Sequence, residues 1–564
     1  MIILKILLKN ATVVNVFTGT LEKENVLIEN DKIIGVGDYN DEDADITEDL
    51  SGKFICPGFI DGHIHIESTM LTPFELAKIC LPHGTTTIIA DPHEIANVCG
   101  VEGIEFMLDA SQNLPLNVNI MLPSCVPSTP LDESGAILKA DDLEPFYQNK
   151  RVLGLAEMMN YPGVLFGDAD VNAKILNAKK HNRVIDGHAP MVSGKELDKY
   201  ISAGIQSDHE CSTLEEGIER IKKGQWLMIR QGTAAKNLEA LLPLFEPPFN
   251  HRCVLVTDDR HPSDIINEGH IDNIIRLAIR AGKSPITAIQ MATIQCAECF
   301  GLKYQGAIAP GYKADLLVLD NLETVEICDV YSSGEKIVNN GELKPFTAPV
   351  MSKNYDNIYN SFKLKELSAD DFHIEEKSTQ CRAIKVIPKQ LLTEEIIFDV
   401  DWSKANGIDL DRDILKLAVI ERHHNTGHKG IGFINGIGLK KGAIASSVSH
   451  DSHNLIVIGT NDEDMAIAAN RIKSIGGGNV VVVDGEIIEE MPLVVAGLMS
   501  DLSAQEIATL NEKVRKCVYN LGVSENVEPF MNMAFVSLLV IPHIKMSTKG
   551  LIDVNKQEIV SLYV

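Results

Sequence analysis

Between residues 58 and 305, short apolar, β-rich runs alternate with helix-like stretches, and no other feature limits the possible folds so strongly. The runs are GFIDGHIH (58–65), TTTIIADPHE (85–94), NVNIMLPSCVP (117–127), RVLGLAEMM (151–159), RVIDGHAP (183–190), AGIQSDHE (203–210), QWLMIRQG (225–232) and CVLVTDDRHP (253–262). Stretches such as TPFELAKICLPHG and TLEEGIERIKKG fall between them. Eight strand–helix units over about 250 residues predict a (β/α)8 TIM-like barrel, with its active site at the C-terminal ends of the strands.

The flanks have a different texture. Residues 1–57 read as short strands with turns, and so do residues 306–343, which include GAIAPGYKADLLVLD. The simplest topology joins the two into one small composite β domain beside the barrel (58–305). A polar linker over 344–380 then leads to a C-terminal mixed α/β domain over 381–564. The 564 residues carry a net charge of −28, which argues against a nucleic-acid backbone or an anionic membrane as partner. No apolar run reaches the ~18 residues needed to cross a bilayer. The opening MIILKILLKNATVVNV, with Lys5 inside it, reads as a first strand rather than a signal peptide. Eleven scattered cysteines without a framework suit reduced thiols in a cytoplasmic protein. Cys296 and Cys299 form a C-x-x-C inside AIQMATIQCAECFG and read as small residues of a buried helix face. SIGGGN (474–479) follows a helix instead of preceding one, so it reads as a helix end and turn, not a phosphate loop.

The ionisable residues closing the predicted strands carry the chemistry. The first strand ends in His63 and His65, the fourth in Glu157, the fifth in His188, the sixth in His209 and the eighth in Asp258. Two histidines two apart share one face of a strand. The steps from Glu157 to His188 and from His188 to His209 are each about one βα unit. Four imidazoles and two carboxylates thus converge on one rim, a set suited to two divalent ions of the Zn, Fe or Mn type, with a carboxylate able to bridge them. Asp91, His93 and Glu94 end the second strand as candidate pocket residues. Arg230 and Gln231 end the seventh as further candidates, Gln231 offering both a donor and an acceptor. In the C-terminal region SVSHDSHN (447–454), with Ser449, His450, Asp451 and His453, is a segment expected either to reach over the barrel mouth or to form a surface turn.

The stretches PGFIDGHIHIEST, GHAP, SDHE, TDD and GAIAPGYKADLLVLD resemble the amidohydrolase superfamily of metal-dependent hydrolases. DGHIHIESTM, ADPHEIANVCG, LAEMMNYPGV, IDGHAP, SDHE and TDDRHP, in that order, are similar to the adenine deaminases within it. So is the C-terminal NTGHKGIGFINGIGLKKGAIASSVSHDSHN. The resemblance spans essentially the whole chain. It implies hydrolytic deamination of adenine to hypoxanthine in purine salvage, by a homo-oligomer holding two divalent ions, with Mn or Fe favoured over Zn. His63, His65 and Asp258 would hold one ion, His188 and His209 the other, with Glu157 bridging. Asp258 would take a proton from the attacking water, and Glu210 is the candidate acid for the ring nitrogen, provided the strand end bends it toward the lumen. Many superfamily members bridge their ions with a carbamylated lysine on the fourth strand, but RVLGLAEMM has Glu157 and no lysine. That departure weakens a reading as a hydantoinase or dihydroorotase; the alternative kept is hydrolysis of a cyclic amide or another amino-substituted heterocycle by the same centre.

Overall fold

In the computed structural model, which describes residues 4–388 and 392–564, the alternation closes into a barrel. Its parallel strands are β1 (Phe59–Ile64), β2 (Thr85–Ala90), β3 (Asn117–Leu122), β4 (Val152–Met158), β5 (Val184–Gly187), β6 (Ser207–Asp208), β7 (Trp226–Arg230) and β8 (Cys253–Val256). Strands β1 to β5 pair in order, as do β6 to β8. The Gln206 N–H donates to the Ile185 carbonyl at 3.0 Å across one seam, and the Asp258 N–H donates to the His63 carbonyl at 2.9 Å across the other. Helices cover the outside, so the strands are buried on both faces and read as continuous apolar runs.

Ile60, Ile89, Met121, Ala156, Met228 and Val254 meet in one cluster. Side chains from opposite sides of a ring of strands can meet only in its lumen, so the barrel is a packed core and not a pore. The helix Ile294–Phe300 plugs the end opposite the strand C-termini, and Cys296 and Cys299 join that cluster as buried free thiols. The fit is tight beneath His63. A Cβ on Gly62 would lie 2.9 Å from Cys296 Sγ and 3.2 Å from Val256 Cγ1, so only glycine allows β1 to pass over the plug.

The two flanks form one nine-stranded sheet. The strand Phe54–Pro57 pairs in parallel with Lys5–Asn15 and antiparallel with Leu316–Asn321, which joins the N-terminal strands to those after the barrel. The segment 344–380 is strapped onto the barrel at its start and onto the C-terminal sheet farther along. The Ser352 N–H and the Tyr355 hydroxyl both donate to Asp109 at 3.1 and 2.7 Å, and Ile358 and Phe372 are fully buried. These apolar anchors are too widely spaced to produce a helical or strand period.

The C-terminal region holds an eight-stranded mixed sheet, built from strands between Gln380–Val386 and Glu486–Pro492 with the helix Asp462–Ser474 packed on it, and a three-stranded sheet of Ile544–Ser547, Gly550–Asp553 and Glu558–Val560. The SIGGGN stretch ends that helix, the Gly477 N–H donating to the Ile472 carbonyl at 3.0 Å. The helix Ala504–Asn520 lies between the eight-stranded sheet and the barrel helix Pro262–Glu268, which brings the C-terminal region against the barrel mouth.

Candidate metal centre and active site

At the C-terminal ends of the strands, the six ligand-type residues come together in two overlapping sets. The ligating atoms of His63, His65 and Asp258 lie within 4.8 Å of one another, as do those of Glu157, His188 and His209. Glu157 joins the sets. Its Oε1 is 3.3 Å from His65 Nε2, and its Oε2 is 2.7 Å from His188 Nδ1 and 3.2 Å from His209 Nε2. Asp258 reaches the lumen from a left-handed backbone (φ 59°) just past β8, a conformation that Asp adopts more readily than most residues. Its Oδ1 is 3.3 Å from His65 Nε2 and 3.8 Å from His63 Nε2.

The residues fit divalent cations on two counts. First, a buried ring nitrogen facing the carboxylates is left over: His63 Nε2, 3.8 Å from Asp258 and 4.0 Å from Glu157, has no hydrogen-bond partner among the described residues. A buried polar atom without a partner is costly, and a cation is one way to satisfy an imidazole lone pair. Second, the charge balance calls for positive charge. Burial raises the carboxyl of Glu157, yet His188, His209 and His65 hold it well below the usual carboxylate range. Burial likewise raises Asp258, while Arg230 and His65 bring it well below. Burial disfavours a charged imidazole, but these carboxylates push His209 up to about 10 and His65 well above its ordinary value. The protons drawn onto the rings stand where a metal's charge would act.

Around this cluster lies a shell of positioning groups. Glu210 does bend into the site, with Oε1 3.4 Å from His209 Nε2 and 3.5 Å from His188 Nδ1. Arg230 grips it with both terminal nitrogens, at 2.6 and 3.0 Å, and also bonds Asp258. Such a fork–fork pair fixes geometry as well as charge. His93 spans the next stretch of wall, its Nδ1 3.1 Å from Asp91 and 3.6 Å from Glu157, its Nε2 3.7 Å from Asp451. Glu94 accepts from the Ser68 hydroxyl at 2.8 Å.

The cavity above the cluster is lined by His65, His93, Glu94, Glu157, His188, His209, Glu210, Arg230 and Asp258 from the barrel side. From the C-terminal region come His450, Asp451, Phe535, Leu538 and Ile541. The segment 447–454 therefore reaches over the barrel mouth and is not a surface turn.

Four residues expected to touch substrate do not line this cavity. The side chain of Gln231 follows Arg230 in an extended run and so faces away from the lumen, while its backbone N–H donates to Val256 and its carbonyl accepts from Arg260. Ser449 and His453 brace the loop from behind: the Ser449 and Ser537 hydroxyls are 2.6 Å apart, and His453 Nδ1 accepts from the Ser449 N–H at 3.2 Å. Asp91 sits beneath His93 and orients it.

Two groups escaped the sequence reading. Asp186 backs His63, its Oδ2 3.2 Å from Nδ1, and it was findable, since it lies on β5 two residues before His188. Phe535, Leu538 and Ile541 lie in an apolar stretch that carries no signal of a cavity wall.

Comparison with known proteins gives the chain its family. Residues 54–352 match the amidohydrolase family and residues 390–558 the adenine deaminase C-terminal domain. Adenine deaminase 2 of Carboxydothermus hydrogenoformans is 47% identical over 98% of this chain and 96% of its own. Adenine deaminase of Clostridium acetobutylicum is 45% identical over 97% and 96%. Among solved structures, a β-aspartyl dipeptidase from Fervidobacterium islandicum AW-1 covers 61% of this chain and 99% of its own at 19% identity, with a TM-score of 0.47. The chain belongs to the amidohydrolase family and, within it, to the adenine deaminases.

Proposed function

We propose that this chain hydrolyses adenine to hypoxanthine and ammonia, with His63, His65 and Asp258 holding one divalent ion, His188 and His209 a second, and Glu157 shared between them. The observation that carries the reading is Glu157 itself. One buried carboxylate touches imidazoles of both sets through different oxygens, as a bridging ligand must. Two ions at these residues, when bound, would lower the pKa of water enough to furnish a nucleophile at neutral pH. The remaining work falls to the chain. Asp258, held as an anion by Arg230, takes the proton of the attacking water and passes it to the departing amine. Glu210, clamped in a fixed orientation by Arg230, delivers the water's other proton to the purine ring nitrogen as the six-membered ring loses aromaticity. His450, Asp451 and the apolar side chains of Phe535, Leu538 and Ile541 close the mouth and keep bulk water from the reacting carbon.

Mn or Fe is the favoured occupant, and both suit mixed imidazole and carboxylate ligands. The test is ammonia release from adenine by protein reconstituted with Mn²⁺, Fe²⁺ or Zn²⁺, beside Glu157→Gln. Metal-dependent release that the variant lacks is the expected result. Protein holding about two ions that releases no ammonia from adenine with any of them would overturn the assignment and direct the search to cyclic amides.

A further inference from the structure

Behind the candidate metal ligands stands a further carboxyl group, Asp186, on β5 and 1% exposed. Its Oδ1 is saturated: the Gly187 N–H donates to it at 2.8 Å and the Ser207 hydroxyl, on β6, at 2.5 Å. A Cβ on Gly187 would lie 2.2 Å from the Ser207 carbonyl, so only glycine lets the two strands close up and bring that hydroxyl within reach. Oδ2 is thereby turned toward the imidazoles. It is buried, sits 3.2 Å from His63 Nδ1, and has no aligned hydrogen bond among the described residues.

His63 is not the only ring within its range. The ligating atoms of His63, Asp186 and His209 all lie within 4.8 Å of one another. The two rings stack, with centroids 4.3 Å apart and planes 23° from parallel. Both aim Nε2 at Glu157, at 4.0 Å from His63 and 3.2 Å from His209. Stacked rings with the same edge forward have the same edge behind, so both Nδ1 atoms face away from Glu157. His209 Nδ1 is buried there and has no hydrogen-bond partner among the described residues. The stack is thus held between two carboxyl groups, Glu157 on the Nε2 side and Asp186 on the Nδ1 side.

A neutral imidazole carries one proton, and it binds a cation only through the nitrogen that lacks it. A metal beside Glu157 therefore needs both rings to keep their protons on Nδ1. An acceptor behind the ring fixes that tautomer and makes the nitrogen in front a better ligand. A carboxyl oxygen has two lone pairs, so one oxygen between two rings can serve both.

Resting on the two-ion reading above, we infer that Asp186 is a positioning residue shared by the two metal sites: it holds His63, a ligand of one ion, and His209, a ligand of the other, with Nε2 free for metal. Glu157 joins the ions from the front, and Asp186 joins their ligands from behind.

Competition with a chelator tests this by reading the affinity of each Mn²⁺ on the metal-loaded full-length protein. In Asp186→Asn both equivalents are expected to weaken, each by about 10- to 100-fold. Asp186 does not line the cavity, so with metal in excess the variant should recover most of its kcat, and its KM for adenine should stay within about twofold of wild type. Weakening confined to one equivalent, or unchanged affinity for both, would overturn the inference, and so would a raised KM with both ions in place. If Asp186→Asn does not fold, Ser207→Ala decides, because it leaves the carboxyl group in place and removes one of the bonds that aim it. Both equivalents should then weaken by about 2- to 10-fold, and loss at one ion alone or at neither rejects the role. Failure of the two-ion reading looks different, because wild-type protein would then not hold two ions at all.

Discussion

The cavity has two walls built on different rules. On the barrel side each strand end contributes one or two groups, so residues roughly one βα unit apart in sequence stand a few ångströms apart in space. On the C-terminal side the lining comes from the end of a loop and the end of a short helix. Nothing periodic places them. Their positions depend on single contacts such as the Ser449–Ser537 and Ser452–Asp132 hydrogen bonds. The difference teaches that the scaffold fixes the reactive groups, while tertiary contacts fix the shape of the space above them.

If that division is right, changes on the two walls separate into two kinds of defect. The largest is expected from His63→Ala. It removes a ligand backed by Asp186 and should cost one equivalent of bound metal and at least about 10³-fold in turnover, read by metal analysis beside ammonia release. A variant that keeps both ions and most of its activity would break the comparison. Phe535→Ala is expected to do less and to do it differently. It should retain both ions and lose about 10- to 100-fold in kcat/KM, mainly through KM, because burying a Phe side chain is worth about 1.5–3 kcal/mol. Loss of metal from this variant would show that the C-terminal wall holds the centre and does more than shape the pocket.

The same division explains what could be read from the sequence. The barrel cluster was legible because a strand end has a fixed direction, so bringing His63, His65, Glu157, His188, His209 and Asp258 together needed only the right register. Gln231 was misplaced by that logic applied one residue too far: consecutive residues alternate, and Arg230 already held the inward position. The two flanking β segments were legible because like textures on either side of a barrel have a short route to a common sheet. Within SVSHDSHN the reach over the mouth could be stated only as an alternative. Which of its residues face the cavity depends on Ser449 and His453 turning back into their own loop, and no local pattern encodes that. Phe535 and Leu538 were invisible for a plainer reason: an apolar residue that lines a cavity looks the same in sequence as one that lines a core.

The smallest effect on chemistry is expected where the C-terminal wall meets the barrel, at Asp132. Its Oδ2 accepts from Ser452 at 2.5 Å and its Oδ1 from the Glu133 N–H at 2.9 Å. Burial nevertheless pushes its carboxyl up to about 7, from an ordinary value of 3.8. Between those two values the folded protein keeps a proton that the unfolded chain has released. The stability this group contributes is therefore complete below about pH 4 and is lost as the pH rises through 7. At about 1.4 kcal/mol per pKa unit, the swing is of order 4 kcal/mol. Asp132→Asn keeps an acceptor for Ser452 and cannot ionise. Its stability relative to wild type should therefore rise between pH 5 and pH 8, measured by denaturant unfolding at the two values, while adenine turnover stays within about twofold. A stability difference that does not change with pH would mean that Asp132 is ionised in the folded protein and that the seam between the walls is an ionic contact, not a neutral one.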